Sequence, residues 1–597
     1  MSSPESSPKH QHITSAFGTR SPFKDTIPSD INLDQNDEVS STISISTITF
    51  APHPSLSPPT ATATTKKMQD TFDLESQPTG TDLVAPEESD DIILDPATPS
   101  TPRHRQAENQ LLRGPASVVL KRHMDAVVKV FSKHTKPNFE LPWQSRQQTS
   151  SSSTGFCVFW NNSRHVLTNA HSVTYASQVQ LKRRGDDERF QAKVIAVGSD
   201  CDCALLQVED TSFWHDIVPL ELASTLPELQ QSLCVLGYPI GGDSLAISAG
   251  VVSRVGMTVY SFGSTSLLAI QTDASINSGN SGGPVLDVEG KCVGLAFQSL
   301  TGDASGIGYV IPTSVVRHFL TDVTRNSTFT GFPSLNIGWQ ELDSKALKRA
   351  YGLGVHEKGV LVRKVVAASS EAKVLRQDDV ILKIDGVSVG SDGTIPFRHG
   401  ERVDFKYLVT NRFVGDQMVL EILRQQERLT VPITLQPFHH LVPPHNSERK
   451  PSYFMCGGLV FTSVSDPYLR QRYGRLSCSP VRLMAKSYFG TKEEADEEVV
   501  VLSNILASEA TVGYDSTPGL RDSSVVACNG EKVKNLVQLA KLVRDCSSEF
   551  LRFDMEAGEK VIVVDRKLVE ECTHEVMEAH SMKSPMSSDV EEALKIL

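Results

Sequence analysis

One serine stands between glycines in the segment Ile276-Asn-Ser-Gly-Asn-Ser-Gly-Gly-Pro284, and this segment constrains the fold more than any other in the chain. Gly279 and Gly282 permit a tight turn that larger side chains would obstruct. In such a turn two backbone N–H groups can converge beside the Ser281 hydroxyl, where an oxyanion would develop. We interpret the segment as a nucleophile loop, with Ser281 as the nucleophile and the N–H groups of Gly279 and Ser281 as the oxyanion hole.

Two upstream motifs supply the other groups that a nucleophilic serine requires. A hydroxyl is a weak nucleophile until a base takes its proton, and the imidazole of His171, in Leu167-Thr-Asn-Ala-His171, has a pKa suited to that task. Asp202, in Cys201-Asp-Cys-Ala-Leu-Leu206, is the candidate carboxylate that orients the ring. The chain order His, Asp, Ser is the one that chymotrypsin-type enzymes use, and it predicts a catalytic triad in a cleft between two barrels.

Short β-rich runs separated by turn residues surround these motifs. Such runs predict a mainly β domain, either a barrel or a sandwich. A helical run, Pro312–Leu320, follows them. The clearest β-rich runs are Gly155–Trp160, Gln178–Leu181, Ala192–Val197, Ser232–Gly237 and Lys291–Phe297.

Four regions are expected along the chain. Residues 1–115 are dominated by Ser, Thr, Pro and Asp, cannot bury enough apolar surface to offset chain entropy, and are predicted to be disordered. The β-rich domain is assigned to 116–325. Two related α+β modules follow at 331–437 and 451–585, joined by a Pro-containing linker over 436–450.

Composition narrows the class of protein. A formal net charge of −13 gives no footprint for nucleic acid. No apolar run is long enough to span a bilayer, and the amino terminus has no apolar stretch of signal-peptide type. Early acidic residues argue against a transit peptide, so we expect a cytoplasmic or nuclear protein and leave a plastid or mitochondrion open.

Cys201 and Cys203, which flank Asp202, allow a competing interpretation as a metal pair. No second Cys/His pair of ligand spacing accompanies them, and on a strand both side chains would point away from Asp202. Ten cysteines in 597 residues are too sparse for a disulfide scaffold. Buried, reduced thiols are therefore the favoured interpretation, and no metal or organic cofactor is implied.

The chain resembles the HtrA/DegP family of serine proteases, and specifically the plant-type Deg proteases with two PDZ-like modules. The resemblance extends from about Ser117 to Val590 and includes the three motifs above. It is carried further by Pro137-Asn-Phe-Glu-Leu-Pro-Trp-Gln144, Gly237-Tyr-Pro-Ile-Gly-Gly-Asp243, Gly250-Val-Val-Ser-Arg254, Ile307-Gly-Tyr-Val-Ile-Pro312, Gly359-Val-Leu-Val362 and Pro585-Met-Ser-Ser-Asp589.

The resemblance implies a fold and a site. The fold is a trypsin-like double β-barrel followed by two α+β PDZ-like domains, and His171, Asp202 and Ser281 form the triad. Substrate would bind at Ser275, Ile276 and Asn277 and the loop 298–306, with its backbone paired along Leu295, Ala296, Phe297 and Gln298. Since no acidic residue clearly marks the pocket as trypsin-like, we expect a small or medium apolar side chain before the cleaved bond.

The resemblance also implies partners and regulation. The first module would capture extended or C-terminal peptides, with Gly359, Val360, Leu361 and Val362 as its carboxylate loop, whereas the second favours a structural role. Family members form homo-oligomers built from trimers, and the aromatic segment around Phe139 and Trp143 is the expected contact. Ser278 stands where the family commonly has proline, which predicts a looser oxyanion loop and a resting state of low activity.

The sequence thus indicates an ATP-independent serine endopeptidase that degrades unfolded or damaged proteins through an acyl-enzyme. The alternative is a proteolytically idle PDZ scaffold or chaperone-like oligomer that binds unfolded clients. A metal-regulated protein that uses Cys201 and Cys203 is a third and weaker possibility.

Overall fold

The computed structural model of the 597-residue chain describes residues 123–299, 306–556 and 560–596, and for residues 298 and 299 only the backbone. The tail predicted to be disordered, 1–115, lies outside the described residues. Within the described ranges the fold is mainly β. None of the helices in these ranges is long and apolar enough to cross a membrane.

Six strands close the first barrel, and their sequences explain why. The strands are β1 (Val127–His134), β2 (Thr149–Trp160), β3 (Ser163–Thr168), β4 (Ala176–Lys182), β5 (Arg189–Gly198) and β6 (Cys203–Gln207). They pair in the order β1-β2-β3-β6-β5-β4, with β1 closing the barrel against β4. Val128 and Val130 of β1 lie on one face of the strand and are completely buried, as suits β-branched residues of a closed barrel.

The second barrel has the same number of strands. They are β7 (Ser232–Gly237), β8 (Ala246–Val259), β9 (Ser266–Thr272), β10 (Pro284–Leu286), β11 (Cys292–Ser299) and β12 (Gly308–Pro312), in the order β10-β11-β12-β9-β8-β7. The candidate nucleophile segment is the connection between β9 and β10. The double barrel expected from the sequence is therefore confirmed, and the sandwich alternative is wrong.

Helix α1 (Thr313–Asn326) follows the second barrel. Val315, Val316, Phe319 and Leu320 are buried on one face, at the spacing that an amphipathic helix requires. The helix ends before Ser327, which has a left-handed φ of 61°. Short 3-10 turns elsewhere in the described chain are Met124–Ala126, Ala170–Ser172, Thr211–Trp214, Ser370–Lys373, Leu476–Cys478 and Glu509–Thr511.

A first α+β module follows the barrels. Its elements are β13 (Ile337–Glu341), α2 (Lys345–Ala350), β14 (Val360–Val365), β15 (Val380–Ile384), β16 (Val387–Ser388), β17 (Thr394–Pro396), β18 (Arg402–Asp404), α3 (Lys406–Thr410), β19 (Gln417–Arg424) and β20 (Glu427–Thr434). The main sheet has the order β13-β14-β15-β19-β20, with β16 paired to β15 and β17–β18 as a separate hairpin. Strand β13 therefore lies at one edge.

A second α+β module contains two sheets. Its elements are β21 (Tyr453–Cys456), β22 (Leu459–Ser463), α4 (Asp466–Tyr473), α5 (Val481–Phe489), β23 (Val500–Ile505), β24 (Val525–Cys528), β25 (Glu531–Lys532), α6 (Leu536–Arg544), β26 (Phe550–Met555), β27 (Val561–Asp565), α7 (Arg566–Ala579) and α8 (Ser588–Ile596). The sheets have the orders β21-β22-β23 and β25-β24-β26-β27. The boundaries predicted for the four regions stay predictions.

The aromatic segment that follows β1 packs against the second module of its own chain. Phe139 is only 6% exposed and lies in one apolar cluster with Tyr468 and Leu483. The ring of Trp143 lies 5.7 Å from that of Tyr453. Because Phe139 is covered by its own chain, it is not free to form the subunit contact that the sequence suggested, whereas a role for the half-buried Trp143 stays a prediction.

Candidate active site

His171 and Asp202 form a hydrogen-bonded pair in the first barrel. His171 lies in the 3-10 turn Ala170–Ser172 after β3, and Asp202 lies in the turn before β6. Asp202 Oδ2 is 2.8 Å from His171 Nδ1, and Oδ1 accepts a hydrogen bond from the His171 backbone N–H at 2.9 Å. Because an ionised carboxylate only accepts hydrogen bonds, the ring proton must lie on Nδ1. Nε2 is then free to accept a proton, as a general base must.

The backbone of Asp202 is fixed as firmly as its side chain. Asp202 has a left-handed φ of 51°, a conformation that Asp tolerates better than most residues. Its carbonyl oxygen accepts a hydrogen bond from Asn169 Nδ2 at 2.9 Å, and both residues are buried. Asn169, two residues before His171, thus holds the backbone of Asp202 in the position from which its carboxylate reaches His171.

The sequence suggested that both cysteines beside Asp202 lie on a strand, but only Cys203 does. Strand β6 begins at Cys203, so Cys201 belongs to the preceding turn. Both thiols are buried, and each donates to a backbone carbonyl, Cys201 to Gly198 at 3.5 Å and Cys203 to Cys201 at 3.4 Å. Across the part of the chain that the structure describes, no group of three or more His, Cys, Asp and Glu side chains is placed to hold a metal ion.

The environment of His171 shifts its pKa upward. Burial lowers the pKa of His171, but the charge of Asp202 and its hydrogen bond together raise that pKa more, so the net value lies above the ordinary one. The His171 side chain keeps 36% of its surface exposed, whereas Asp202 keeps 2%. The imidazole is therefore reachable from solvent while its carboxylate partner is not.

The nucleophile loop is held by its carbonyl groups. Four successive carbonyl oxygens, from Ser278 to Ser281, each accept a hydrogen bond. The bonds are Ile240 N–H to Ser278 O (3.0 Å), Thr154 Oγ1 to Gly279 O (2.7 Å), Gly283 N–H to Asn280 O (2.9 Å) and Thr154 N–H to Ser281 O (3.0 Å). These bonds give the loop a defined conformation without a proline at Ser278, while the activity of the resting enzyme stays a prediction.

Two N–H groups of this loop are left without an acceptor. A trans peptide points its N–H away from its C=O, so the held carbonyls of Ser278 and Asn280 direct the N–H groups of Gly279 and Ser281 away from their own anchors. Within residues 123–299, 306–556 and 560–596, neither N–H donates a hydrogen bond. Gly279 has a φ of 98°, in the region that glycine alone adopts without strain. These are the two donors that the sequence predicts for an oxyanion hole.

The same loop packs directly on the strand that leads to His171. A Cβ on Gly282 would lie 2.2 Å from Thr154 O, 2.5 Å from Thr168 Oγ1 and 3.1 Å from Asn169 N, so only glycine fits there. Ser281 is thereby brought beside the His171 turn. No hydrogen bond joins Ser281 Oγ to His171 among the described residues, and such catalytic bonds commonly tighten only when substrate binds.

The residues predicted to bind substrate are of two kinds. Ser275 and Asn277 are exposed, whereas Leu295 and Ala296 are completely buried in β11. Ala296 uses both of its main-chain groups on the nucleophile loop, accepting from Gly282 N–H at 2.8 Å and donating to Gly283 O at 2.9 Å. Ala296 therefore positions the loop more directly than it could bind a peptide.

Beyond Leu295, β11 pairs with β12 and no longer with β10. Ala296 pairs with Val310 and Gln298 with Tyr309, so Phe297 lies in a bulge opposite no residue. The Phe297 side chain is buried and its ring lies 4.6 Å from that of Tyr260. The loop that continues to 305 lies outside the described residues from 300 onward.

Ile276, between the two exposed residues Ser275 and Asn277, is buried against β12. It is 4% exposed, and a Cβ on Gly308 would lie 2.9 Å from its Cδ1 atom. The small or medium apolar side chain expected before the cleaved bond stays a prediction.

Two features near the triad were missed by sequence reasoning. The ring of Phe262, between β8 and β9, lies 6.1 Å from that of His171. His445, in the linker, bonds through Nε2 to Asp200 Oδ1 at 2.9 Å, two residues before Asp202. Both contacts join segments that are distant in the chain, and no local motif marks either of them.

The carboxylate loop assigned from the sequence to Gly359–Val362 does not fit the sheet. Val360, Leu361 and Val362 are buried in β14, which lies between β13 and β15. Since Val360 already pairs with Glu341 on one side and Ile381 on the other, no peptide can add a strand there. Strand β13 is the free edge on this side of the sheet.

A cleft of about 1270 Å³ lies beside β13 and helix α3. Ile337, Trp339 and Val409 line its wall in the first module, and Tyr488 and Phe489 line it from the second module. An extended peptide that paired with β13 would enter this cleft.

The matching edge of the second module is filled by the chain itself. Phe454 of β21 pairs with Met586, Met455 N–H donates to Pro585 O at 2.7 Å, and Ser587 N–H donates to Tyr453 O at 3.0 Å. Helix α8 then packs on α6. With this edge of β21 already paired, a peptide could add a strand there only by displacing residues 585–587.

Comparison with known proteins connects this geometry to a family. A model described as "Trypsin-like peptidase domain" matches residues 153–295, a range that contains His171, Asp202 and Ser281. A second model, described as "PDZ domain", matches residues 442–589. The PDZ match thus lies on the second module and its linker.

Curated relatives match most of the chain. "Protease Do-like 2, chloroplastic" from Arabidopsis thaliana is 40% identical over 480 residues, which cover 80% of this chain and 77% of the relative. "Protease Do-like 4, mitochondrial" from the same plant is 37% identical over 466 residues, covering 78% of this chain and 85% of the relative. These names do not support the expected cytoplasmic or nuclear location.

Solved structures also match. One, titled "HtrA-type protease AlgW with decapeptide", is 21% identical, covers 54% of this chain and 98% of its own, and has a TM-score of 0.42.

Proposed function

Since the chain belongs to the Do-like family of serine proteases and is a serine endopeptidase, we propose that it cleaves unfolded or damaged proteins without ATP, through His171, Asp202 and Ser281. Ser281 Oγ attacks the peptide carbonyl carbon while His171 Nε2 takes its proton. The N–H groups of Gly279 and Ser281 bind the oxyanion. His171 then protonates the leaving amine, and water hydrolyses the acyl-enzyme by the same steps.

One arrangement supports this proposal above all others. The Asp202 carboxylate is hydrogen-bonded to Nδ1 of His171 at 2.8 Å, which leaves Nε2 as the acceptor, while two N–H groups of the nucleophile loop find no acceptor among the described residues. A structural turn would leave buried N–H groups paired. Unused donors beside a serine and a histidine are the groups that acyl transfer requires.

The test is labelling of the full chain with a fluorophosphonate, beside digestion of casein without nucleotide. We expect casein to be cleaved and the label to be found on the peptide that contains Ser281, by mass spectrometry. A label on another serine would remove Ser281 from the triad. If the protein neither cleaves nor reacts but suppresses aggregation of casein, the idle scaffold or chaperone-like alternative takes its place.

The proposed partners follow from the edges of the modules. We propose that extended or C-terminal peptides bind to the first module at the free edge of β13 rather than at Gly359–Val362, and that the second module is structural. We also propose a homo-oligomer built from trimers, whose contact lies away from Phe139 because that side chain is buried in its own chain. Analytical ultracentrifugation of the full chain measures the oligomer.

The compartment is proposed from the relatives. Those reported above carry the words chloroplastic and mitochondrial in their names, so we propose a plastid or mitochondrion in place of the cytosol or nucleus. A fluorescent protein fused after residue 122 is expected to enter one of these organelles. Fluorescence that stays in the cytosol or nucleus would restore the first expectation.

A further inference from the structure

Thr154 joins the two barrels at the nucleophile loop. This residue of β2 is completely buried. Its hydroxyl donates to Gly279 O at 2.7 Å and accepts from Tyr238 N–H at 2.8 Å. Its backbone N–H donates to Ser281 O at 3.0 Å, and its carbonyl accepts from Thr168 Oγ1 at 2.7 Å. One residue of the first barrel therefore makes four hydrogen bonds, three of them to the second barrel.

The two bonds to the loop lie on either side of an oxyanion donor. Gly279 and Ser281 present their carbonyls to Thr154, and the N–H of Ser281 belongs to the peptide between those two residues. Rotation of that peptide would pull at both anchors at once. Thr154 thus restrains the orientation of the Ser281 N–H without touching the substrate.

The surroundings keep Thr154 itself in place. Thr168 fixes its carbonyl from β3, the strand that leads to His171, and Gly282 packs against the same carbonyl with no room for a side chain. Tyr238 fixes the hydroxyl from the end of β7. Since the hydroxyl has one proton to donate and gives it to Gly279 O, the direction of that bond is set by the Tyr238 N–H.

We propose that Thr154 is a positioning residue for the oxyanion hole, acting through its hydroxyl on the Gly279 carbonyl. The inference rests on the proposed triad. Loss of the hydroxyl leaves a buried carbonyl and a buried N–H without a partner, and the loop is then free to turn its peptides toward other acceptors. The loss should weaken transition-state stabilisation more than substrate binding, because the restrained N–H groups bind only the oxyanion.

Two variants that differ by one oxygen atom test the hydroxyl. Both variants lack the methyl group of threonine. Thr154→Ser keeps the hydroxyl as donor and acceptor, whereas Thr154→Ala removes it. We expect kcat of the alanine variant to fall roughly 10- to 100-fold below that of the serine variant at similar KM, short of the loss of about 10² to 10³ that removal of a donor causes. Thr154→Val, which keeps the shape, should behave like the alanine variant.

Thr272→Val is the matched control. Thr272 is also a buried threonine of a barrel strand, and its hydroxyl donates to Val251 O at 2.9 Å and accepts from Ala274 N–H at 3.2 Å. We expect a comparable loss of thermal stability with kcat within a factor of a few of the wild-type value. A fall in kcat that merely follows loss of stability would appear in this variant too.

The outcomes separate the inference from the proposed function. Wild-type protein that takes no label on Ser281 contradicts the triad itself. Labelled, active wild type with equal kcat in the Thr154→Ser and Thr154→Ala variants overturns the role of the hydroxyl and leaves the triad intact. A kcat that is low in the Thr154→Ala variant and close to the wild-type value in the Thr154→Ser variant, with KM unchanged in both, supports the inference.

Discussion

Replacement of Ser281 by alanine is expected to lower kcat for a peptide or casein by a factor on the order of 10⁵ to 10⁶ and to abolish fluorophosphonate labelling. The alanine variant keeps the His171–Asp202 pair and both free N–H groups, but no atom remains to form the acyl-enzyme. The Ser281 hydroxyl makes no hydrogen bond within the described ranges, so the melting temperature should not change. Activity is measured by casein digestion, and labelling by in-gel fluorescence.

Ser163→Ala is the control for this substitution. Ser163 is an exposed serine at the start of β3, and its loss should leave cleavage and labelling at the wild-type level. Residual cleavage by the Ser281→Ala variant above about one part in 10³ would point to another nucleophile. The slow hydrolysis that remains after a loss of about 10⁵ to 10⁶ in kcat would come from the oxyanion hole and from substrate binding, without an acyl-enzyme.

Local sequence patterns predicted the strands well where apolar residues alternate. The run Ser232–Gly237 coincides with β7. The run Gly155–Trp160 is only half of β2. The missing half is Ser-rich, and its pairing with β1, such as Ser153 with Val130, is not visible in its own sequence.

The residues of the candidate site were predicted from motifs, but the contacts that hold them in place were not. The glycines around Ser281 indicate a tight turn by themselves. The bond from Thr154 to Gly279 joins residues 125 positions apart, and so depends on the meeting of two barrels. A one-sequence argument has no means of pairing such residues, because threonine is common in strands.

The carboxylate loop assigned to Gly359–Val362 does not fit the sheet for a related reason. Val360–Val362 is an apolar run preceded by glycine, and such a run is equally typical of a groove strand and of a central strand. Its position between β13 and β15 is decided by partners far from it in the sequence. The aromatic residues Phe139 and Trp143 posed the same problem, since exposure of a large apolar side chain depends on which module covers it.

Replacement of Asp202 by asparagine is expected to lower kcat by about 10⁴. The backbone N–H of His171 selects an acceptor, so the amide oxygen takes the place of Oδ1 and the amide N–H₂ faces Nδ1. Nδ1 must then accept, the ring proton moves to Nε2, and the base can no longer receive the proton of Ser281. Stopped-flow or steady-state kinetics with a peptide substrate measures the loss.

The pH profile gives a second and independent readout. In the wild type, the raised pKa of His171 places the acid limb of kcat/KM above the ordinary histidine range, because only the neutral ring is a base. In the Asp202→Asn variant the charge and hydrogen bond that raise this pKa are gone while burial, which lowers it, remains. The acid limb should therefore move to lower pH, toward values below the ordinary pKa of histidine.

The chain supplies a closely matched control in the pair His215–Asp216. Asp216 Oδ2 lies 2.8 Å from His215 Nδ1, the same separation as in the buried pair, and Asp216 has a similar left-handed φ of 60°. Since both side chains are more than three-quarters exposed, Asp216→Asn should change kcat and the acid limb little. A fall of less than tenfold in the Asp202→Asn variant, or an acid limb that does not move, would mean that Asp202 does not set the tautomer of the catalytic base.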